Sequence, residues 1–317
     1  MAQIIDGQSI AQDMKDKLRQ EVKQLSAANI SPKLAALLAT ENKGARIYAD
    51  SQARSCKEAG IDYELVELSP ESSEQELLNA VDALNHDDKV HGIIIQLPLP
   101  SGVSARNLQS HIAPAKDVEG TSALNQGGVI QVAQPFFRKP QPSEDEYDSW
   151  LDKSLSWPLP TPAPCTAIGM MELIRSLKID LYGMEAVVVG HSEIVGKPMA
   201  LLLMAHFCTT TVCHIATRDL ASHTRRADLI VVGVGKPGLI TADMVKPGAI
   251  VIDAGINRIK VEDGSGKTKR KVVGDVDFDS VENVASYITP VPGGVGPMTT
   301  AMLLRNTVES AKAASDK

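Results

Sequence analysis

The chain has 317 residues, 43% of them hydrophobic, and a formal net charge of −7. That length and apolar share allow two domains with cores of their own. The negative balance, without a Lys/Arg stripe, excludes nucleic acid as a partner, because phosphate binding needs concentrated positive charge.

No apolar run approaches the roughly 20 residues of a membrane span, so no membrane partner is expected. The opening MAQIIDGQSIAQDMKDKL carries early acids and no long apolar core, and does not read as a signal peptide. Cys56, Cys165, Cys208 and Cys213 form no Cys-x-x-Cys pair and have no histidines at metal-ligand spacing. They read as buried thiols of a cytoplasmic protein, with no metal site.

In chain order, Ile10, Met14, Leu18, Val22 and Leu25 recur at helical spacing over residues 9–28. KLAALLAT (33–40) reads as a buried strand. ARIYADSQARSC (45–56) reads as a helix with Tyr48 and Gln52 four apart on one face, ending at Gly60 as a C-cap. IDYELVEL (61–68) alternates as a strand, SSEQELLNAVDALNHD (72–87) is a helix, and VHGIIIQLPLP (90–100) is a buried strand stopped by prolines. Strands alternating with helices predict a parallel α/β layout.

Residues 134–164 break the pattern. They hold seven of the 18 prolines, both tryptophans and Phe136–Phe137. That much proline excludes a helix or a central strand. An inserted surface excursion over about 134–160 is expected, either docked through its aromatics on a neighbouring subunit or disordered. Alternation resumes with a helix at 166–178. The stretch 185–207 follows, then strands within 209–216, 228–235, 249–257, 271–278 and 285–294, and a last helix from Pro297. TKRKVV (268–273) reads as a solvated hairpin.

VVVGHSEIVGKP (187–198) has the form of a strand, a glycine turn and a helix start. Gly190 ends the strand, Ser192 offers a hydroxyl and Gly196 lets the helix pack closely. A helix N-terminus leaving such a turn is an anion site. Only two glycines of the usual G-x-G-x-x-G are present, so the motif alone fits a dinucleotide turn or a plain tight turn.

The segments VVVGHSEIVGKPMALLL, VVGVGKPGLI, IVIDAGIN, VVGDVDF and ASYITPVPGGVGPMTTAMLLRNT resemble the methylenetetrahydrofolate dehydrogenase/cyclohydrolase family of the FolD type. Upstream, IIDGQSIA, IYADSQARSCKEAGI, GIIIQLPLP, AKDVEG and PCTAIGMMELI are similar to the same family in the same order. The resemblance spans nearly all of the chain outside about 134–160. It implies a two-domain α/β enzyme: a parallel α/β N-terminal domain and a Rossmann-like, doubly wound dinucleotide-binding domain. The expected boundaries are 1–164, rejoined by the final helix at 299–317, and 165–298. The resemblance also implies a homodimer acting on tetrahydrofolate one-carbon derivatives.

The two reactions of that family ask for different residues. A carbon between two nitrogens gives up hydride readily, because the lone pairs delocalise the resulting cation, so positioning and exclusion of water suffice. Hydrolysis of the methenyl product needs a group that moves protons. By resemblance, the substrate and catalytic residues are Tyr48, Gln52, Gln96 and Glu119. Ile95, Leu97, Pro290, Pro292, Gly293 and Gly294 are implied as further substrate contacts. The family carries lysine where this chain has Gln52, and aspartate where it has Glu119. A glutamine amide does not titrate near neutral pH. The expectation is therefore a dehydrogenase whose cyclohydrolase step is weak or absent, unless Lys43, Arg46 or an ordered water substitutes.

For the cofactor, resemblance implies Gly190, His191, Ser192, Ile215, Arg218 and Ile256. His191, Thr217 and Arg218 suit a 2′-phosphate, and no Asp or Glu caps the second strand of this domain to hold a ribose 2′-hydroxyl. NADP is the expected cofactor, with NAD as the other possibility. Asp253 and Asn257 are read as braces of a strand-end loop, and Asp117 as a cap or brace. Two rival readings share the fold: a non-catalytic or regulatory folate-binding paralogue, and a dehydrogenase for another pterin one-carbon carrier.

Overall fold

The computed structural model of the chain describes residues 1–132, 162–262 and 268–315. The insertion read at about 134–160 lies outside them. The chain divides into two compact units, one of Gln12–Cys165 with Thr300–Lys317 and one of Met1–Ala11 with Thr166–Thr299. The sequence reading gave residues 1–11 to the other domain. The difference is β1 (Gln3–Ile4), which pairs in parallel with a strand near the far end of the chain. Helix α1 (Gly7–Ala27) then starts in one unit and ends in the other.

The 12–165 unit is built on a three-stranded parallel sheet of β2 (Lys33–Leu38), β3 (Asp62–Glu67) and β4 (Gly92–Ile95), in the order β3-β2-β4. The apolar residues of β2 and β4 are buried on both faces, which explains their unbroken apolar runs. Helix α2 (Lys43–Ala59) starts at Asn42, whose Oδ1 accepts from Gly44 N at 2.8 Å and Ala45 N at 3.1 Å. It ends at Gly60 in the left-handed region, as expected. Helix α3 (Glu74–His86) opens with a Ser73/Glu76 capping box and packs Leu77 and Val81 onto Leu37 and Ile93. Two shorter helices, α4 (Ala105–His111) and α5 (Ala123–Val132), follow.

Helix α6 (Cys165–Ser176) leads into the other unit. There β5 (Glu185–Val189), α7 (Gly196–Ala205), β6 (Thr209–Cys213), α8 (Leu220–Thr224), β7 (Leu229–Val232) and β8 (Ile250–Asp253) alternate. The sheet is parallel, in the order β1-β11-β8-β7-β5-β6, where β11 is Tyr287–Ile288. The chain steps from β5 to β6 on one side and returns to β7 on the other, which is a doubly wound switch point. Val187, Val189, Ile230, Val232 and Val251 form the core.

The strand expected at 271–278 does not join this sheet. Residues Thr268–Val273 form β10, which pairs only with β9 (Asn257–Glu262) as an antiparallel ribbon, as the hairpin reading of TKRKVV implied. The strand expected at 285–294 shrinks to the two residues of β11, because Pro290 and Pro292 cannot extend a ladder. A short α9 (Phe278–Val281) precedes it, and α10 (Val295–Ser315) ends the fold.

Candidate functional site

In the 12–165 unit the centre of interest is a pair of amides. Along α2 the buried positions Ala45, Ala49, Gln52, Cys56 and Ala59 follow helical spacing, so Gln52 occupies a core-facing stripe. Gln96 directly follows β4, with its N–H on Leu37 O at 2.9 Å. The two side chains are 2% and 4% exposed. Gln96 Nε2 donates to Gln52 Oε1 at 2.7 Å. Tyr48, one turn earlier on α2, is 47% exposed. Desolvation, then the charge of Glu119, raises its pKa, and a hydrogen bond from Gln52 opposes the rise. Gln96 is thus the donor and Gln52 the acceptor of the pair, and neither amide can carry a proton.

The KDVEG loop divides its labour. Lys116 Nζ donates to Leu84 O at 3.1 Å, Asn85 O at 2.8 Å and Asp87 O at 2.7 Å, closing the C-terminus of α3. Asp117 is fully buried, and its carboxylate accepts from Ser122 N at 2.7 Å, Asn125 Nδ2 at 3.0 Å and Thr121 N at 3.3 Å at the start of α5. It is a brace, one of the two roles read from the sequence. Glu119 carries no such duty. Burial, with Asp117 adding to it, pushes its carboxyl up to about 7. It is the one group of this set that titrates near neutral pH. Ile95 is buried at the end of β4, whereas Leu97 is exposed beyond it.

In the other unit, Gly190 leaves β5 at φ 121, which suits glycine alone. Its N–H donates to Cys213 O at 2.8 Å. A β-carbon there would lie 2.7 Å from Gly233 O, and one at Gly196 would overlap the Gly190 carbonyl, so both glycines are required by close approach. Ser192 Oγ accepts from Val195 N at 3.2 Å and Gly196 N at 3.4 Å, shaping the entry to α7. His191 stacks obliquely on His214, with ring centroids 5.1 Å apart. Thr217 Oγ1 accepts from His214 N at 2.8 Å and closes the turn that presents Ile215, which is fully exposed, and Arg218. Ile256 is exposed on the loop after β8.

Asp253 and Asn257 brace that loop as expected, since Gly255 N reaches Asp253 Oδ1 at 2.8 Å. Their partner Asp275 was not singled out in the sequence. Asn257 Nδ2 donates to Asp275 Oδ1 at 2.7 Å. Pro290, Pro292, Gly293 and Gly294 form the turn between β11 and α10, closed by Gly294 N on Pro290 O at 2.9 Å. No group of three or more metal-ligating side chains occurs among the described residues.

Residues 5–119 match the catalytic-domain model of the tetrahydrofolate dehydrogenase/cyclohydrolases, and residues 164–315 match the NAD(P)-binding domain model of the same family. The bifunctional protein FolD of Nautilia profundicola is 44% identical over 310 residues, covering 98% of this chain and 97% of that one. The crystal structure of the bifunctional FolD methylenetetrahydrofolate dehydrogenase/cyclohydrolase from Campylobacter jejuni superposes with a TM-score of 0.85 at 40% identity, over 99% of each chain. The Trypanosoma brucei methylenetetrahydrofolate dehydrogenase-cyclohydrolase, solved with NADP and an inhibitor, gives a TM-score of 0.85 at 32% identity, over 100% of this chain and 99% of that one.

Proposed function

The chain belongs to the tetrahydrofolate dehydrogenase/cyclohydrolase family, and on that premise we propose that it oxidises 5,10-methylenetetrahydrofolate to the 5,10-methenyl form with NADP while hydrolysing that product weakly or not at all. The observation that carries the second half is the buried Gln52–Gln96 hydrogen bond. It fills the lysine position of the family with a neutral amide whose oxygen is already engaged. Attack of water on the methenyl carbon needs a proton acceptor and donor, and two amides supply neither.

Tyr48, Gln52 and Gln96 offer polar groups to the reduced pterin in the 12–165 unit, with Leu97 as an apolar contact. Ionised Glu119 accepts hydrogen bonds from pterin N–H groups and so orients the ring. The oxidation itself needs no acid or base, because the flanking nitrogens stabilise the cation. The fit of a dinucleotide rests on the steric cradle at Gly190 and Gly196, where a β-carbon would close the turn. When bound, NADP supplies the two-electron acceptor. Gly190 and Ser192 would border its phosphates at the start of α7, His191 and Arg218 the 2′-phosphate, and Ile215 and Ile256 its rings.

Absorbance at the nicotinamide band, with methylenetetrahydrofolate and NADP or NAD, tests the oxidation. Decay of the methenyl chromophore tests hydrolysis. A second reading rests on one observation: the Glu119 carboxyl, at about 7, titrates in the working range. If it served the attacking water, hydrolysis would run at a family-like rate and vanish in Glu119→Gln. Absence of oxidation with either coenzyme would favour a binding paralogue or another pterin carrier.

The enzyme is further proposed to act as a homodimer in the cytoplasm. Four unpaired, buried cysteines suit a reducing compartment. Among the described residues no helix is long and apolar enough to cross a membrane.

A further inference from the structure

We propose that Asp253 and Asp275 are positioning residues for the dinucleotide, a buried carboxylate pair clamping the loops that leave β7 and β8. Asp253 ends β8 and Asp275 lies in the turn after β10, and both are buried. Asp253 Oδ1 accepts from Gly255 N at 2.8 Å and Asp275 N at 3.0 Å, and Oδ2 accepts from Val276 N at 2.9 Å. Asp275 Oδ2 accepts from Val234 N at 2.6 Å and Gly235 N at 2.9 Å, and Oδ1 accepts from Asn257 Nδ2. The Asp253 N–H donates to Thr289 Oγ1 at 2.7 Å. One network thus ties together residues 234–235, 255–257, 274–276 and the residue before the Pro290 turn.

Two like charges buried side by side are costly unless their lone pairs are used. Here six donors use them, five of them backbone N–H groups of loops, and no lysine or arginine among the described residues pairs with either acid. A β-carbon on Gly274 would overlap the Asp253 carboxylate, and one on Gly255 the Asp275 carboxyl. Both glycines therefore make room for the acids. The loops so held keep Val234 and Ile256 exposed, at 42% and 66%, instead of burying them. Loops fixed from below with apolar side chains presented outward, at the carboxyl ends of parallel strands, are built to receive a flat ring system at a fixed height.

The inference rests on the dinucleotide reading of this unit. Its test is calorimetric titration of full-length wild-type, Asp275→Ala and Asp275→Asn proteins with NADP, together with steady-state KM for both substrates. Asp275→Ala strands three donors, and its Kd and KM for NADP are expected to rise about tenfold or more. Asp275→Asn keeps a carbonyl for the Val234 and Gly235 N–H groups and is expected within about threefold of wild type. KM for the folate should stay within about twofold in both. An unchanged NADP Kd in folded Asp275→Ala overturns the proposal, as does equal loss for both substrates. Failure of both variants to fold also overturns it, since the pair would then hold the unit and not its loops. Should Asp275→Ala alone fail to fold, Asn257→Ala decides instead: a rise of about threefold in Kd supports the clamp and no rise refutes it. Wild-type protein that does not oxidise the folate sinks the function, whereas the clamp is decided by NADP titration.

Discussion

Replacing Gln52 by lysine is the perturbation that isolates the proton transfer proposed to be lacking. Gln52 is 2% exposed, so the new ammonium sheds nearly all its water. Two oxygens within the reach of Gln52 are available to it: the Tyr48 hydroxyl, and the Gln96 carbonyl after that amide turns over. Burial lowers a lysine pKa toward the neutral range, where it both takes and gives a proton. Positioned acid–base groups contribute about 10²–10⁴ in rate. The expected gain in methenyl hydrolysis is at least about 100-fold, or about 2.7 kcal/mol of barrier. Oxidation, which needs no proton transfer, should change by less than about threefold in kcat. The cost is stability, on the order of 1–3 kcal/mol, for a buried charge with two partners in place of a satisfied amide. The assay follows both chromophores on wild-type and Gln52→Lys protein. A folded variant that oxidises its substrate but hydrolyses no faster than about twice the wild-type rate would refute the reasoning.

Other outcomes follow from single contacts. The Glu119 carboxyl sits at about 7, above its ordinary 4.5. Its contribution to stability is therefore present below pH 4.5 and lost as pH rises through 7, on the order of 3 kcal/mol. Glu119→Gln should melt at or above wild type at pH 8, while its folate KM rises about tenfold. In wild type the folate KM should fall as pH climbs through 7, where the acceptor ionises, and Glu119→Gln should flatten that profile. Lys116→Met removes three hydrogen bonds from the end of α3 and should cost about 1–3 kcal/mol in denaturant titration. Arg218→Ser should lower kcat/KM for NADP about tenfold and leave the NAD value within about twofold.

The layout of both units was legible because the inner strands β2, β4, β5, β7 and β8 are buried and read as apolar runs, while the edge strand β3 showed by its alternation. The N-cap signal was weaker: Asn42 lies outside the periodic stretch it caps. Strand β1 could not be read, since two residues carry no period and their partner strand lies near the other end of the chain. The ribbon was legible as a hairpin from TKRKVV, yet the same residues also passed for a sheet strand, because alternation alone does not choose a partner. At the site, Gln52 was legible through resemblance and through its place four residues after Tyr48. Its bond to Gln96 was not, since 44 residues separate them. Asp275 was missed for a like reason. Its donors Val234 and Gly235 are about 40 residues away, and nothing in GDVDF marks Asp275 rather than Asp277 as the buried acid.

The most direct test is to assay both reactions on one preparation of the wild-type protein. Reduction of NADP by methylenetetrahydrofolate, with methenyl hydrolysis at least about 100-fold below a lysine-bearing relative under the same conditions, is the predicted result. Hydrolysis at the relative's rate would contradict the assignment of proton transfer to position 52.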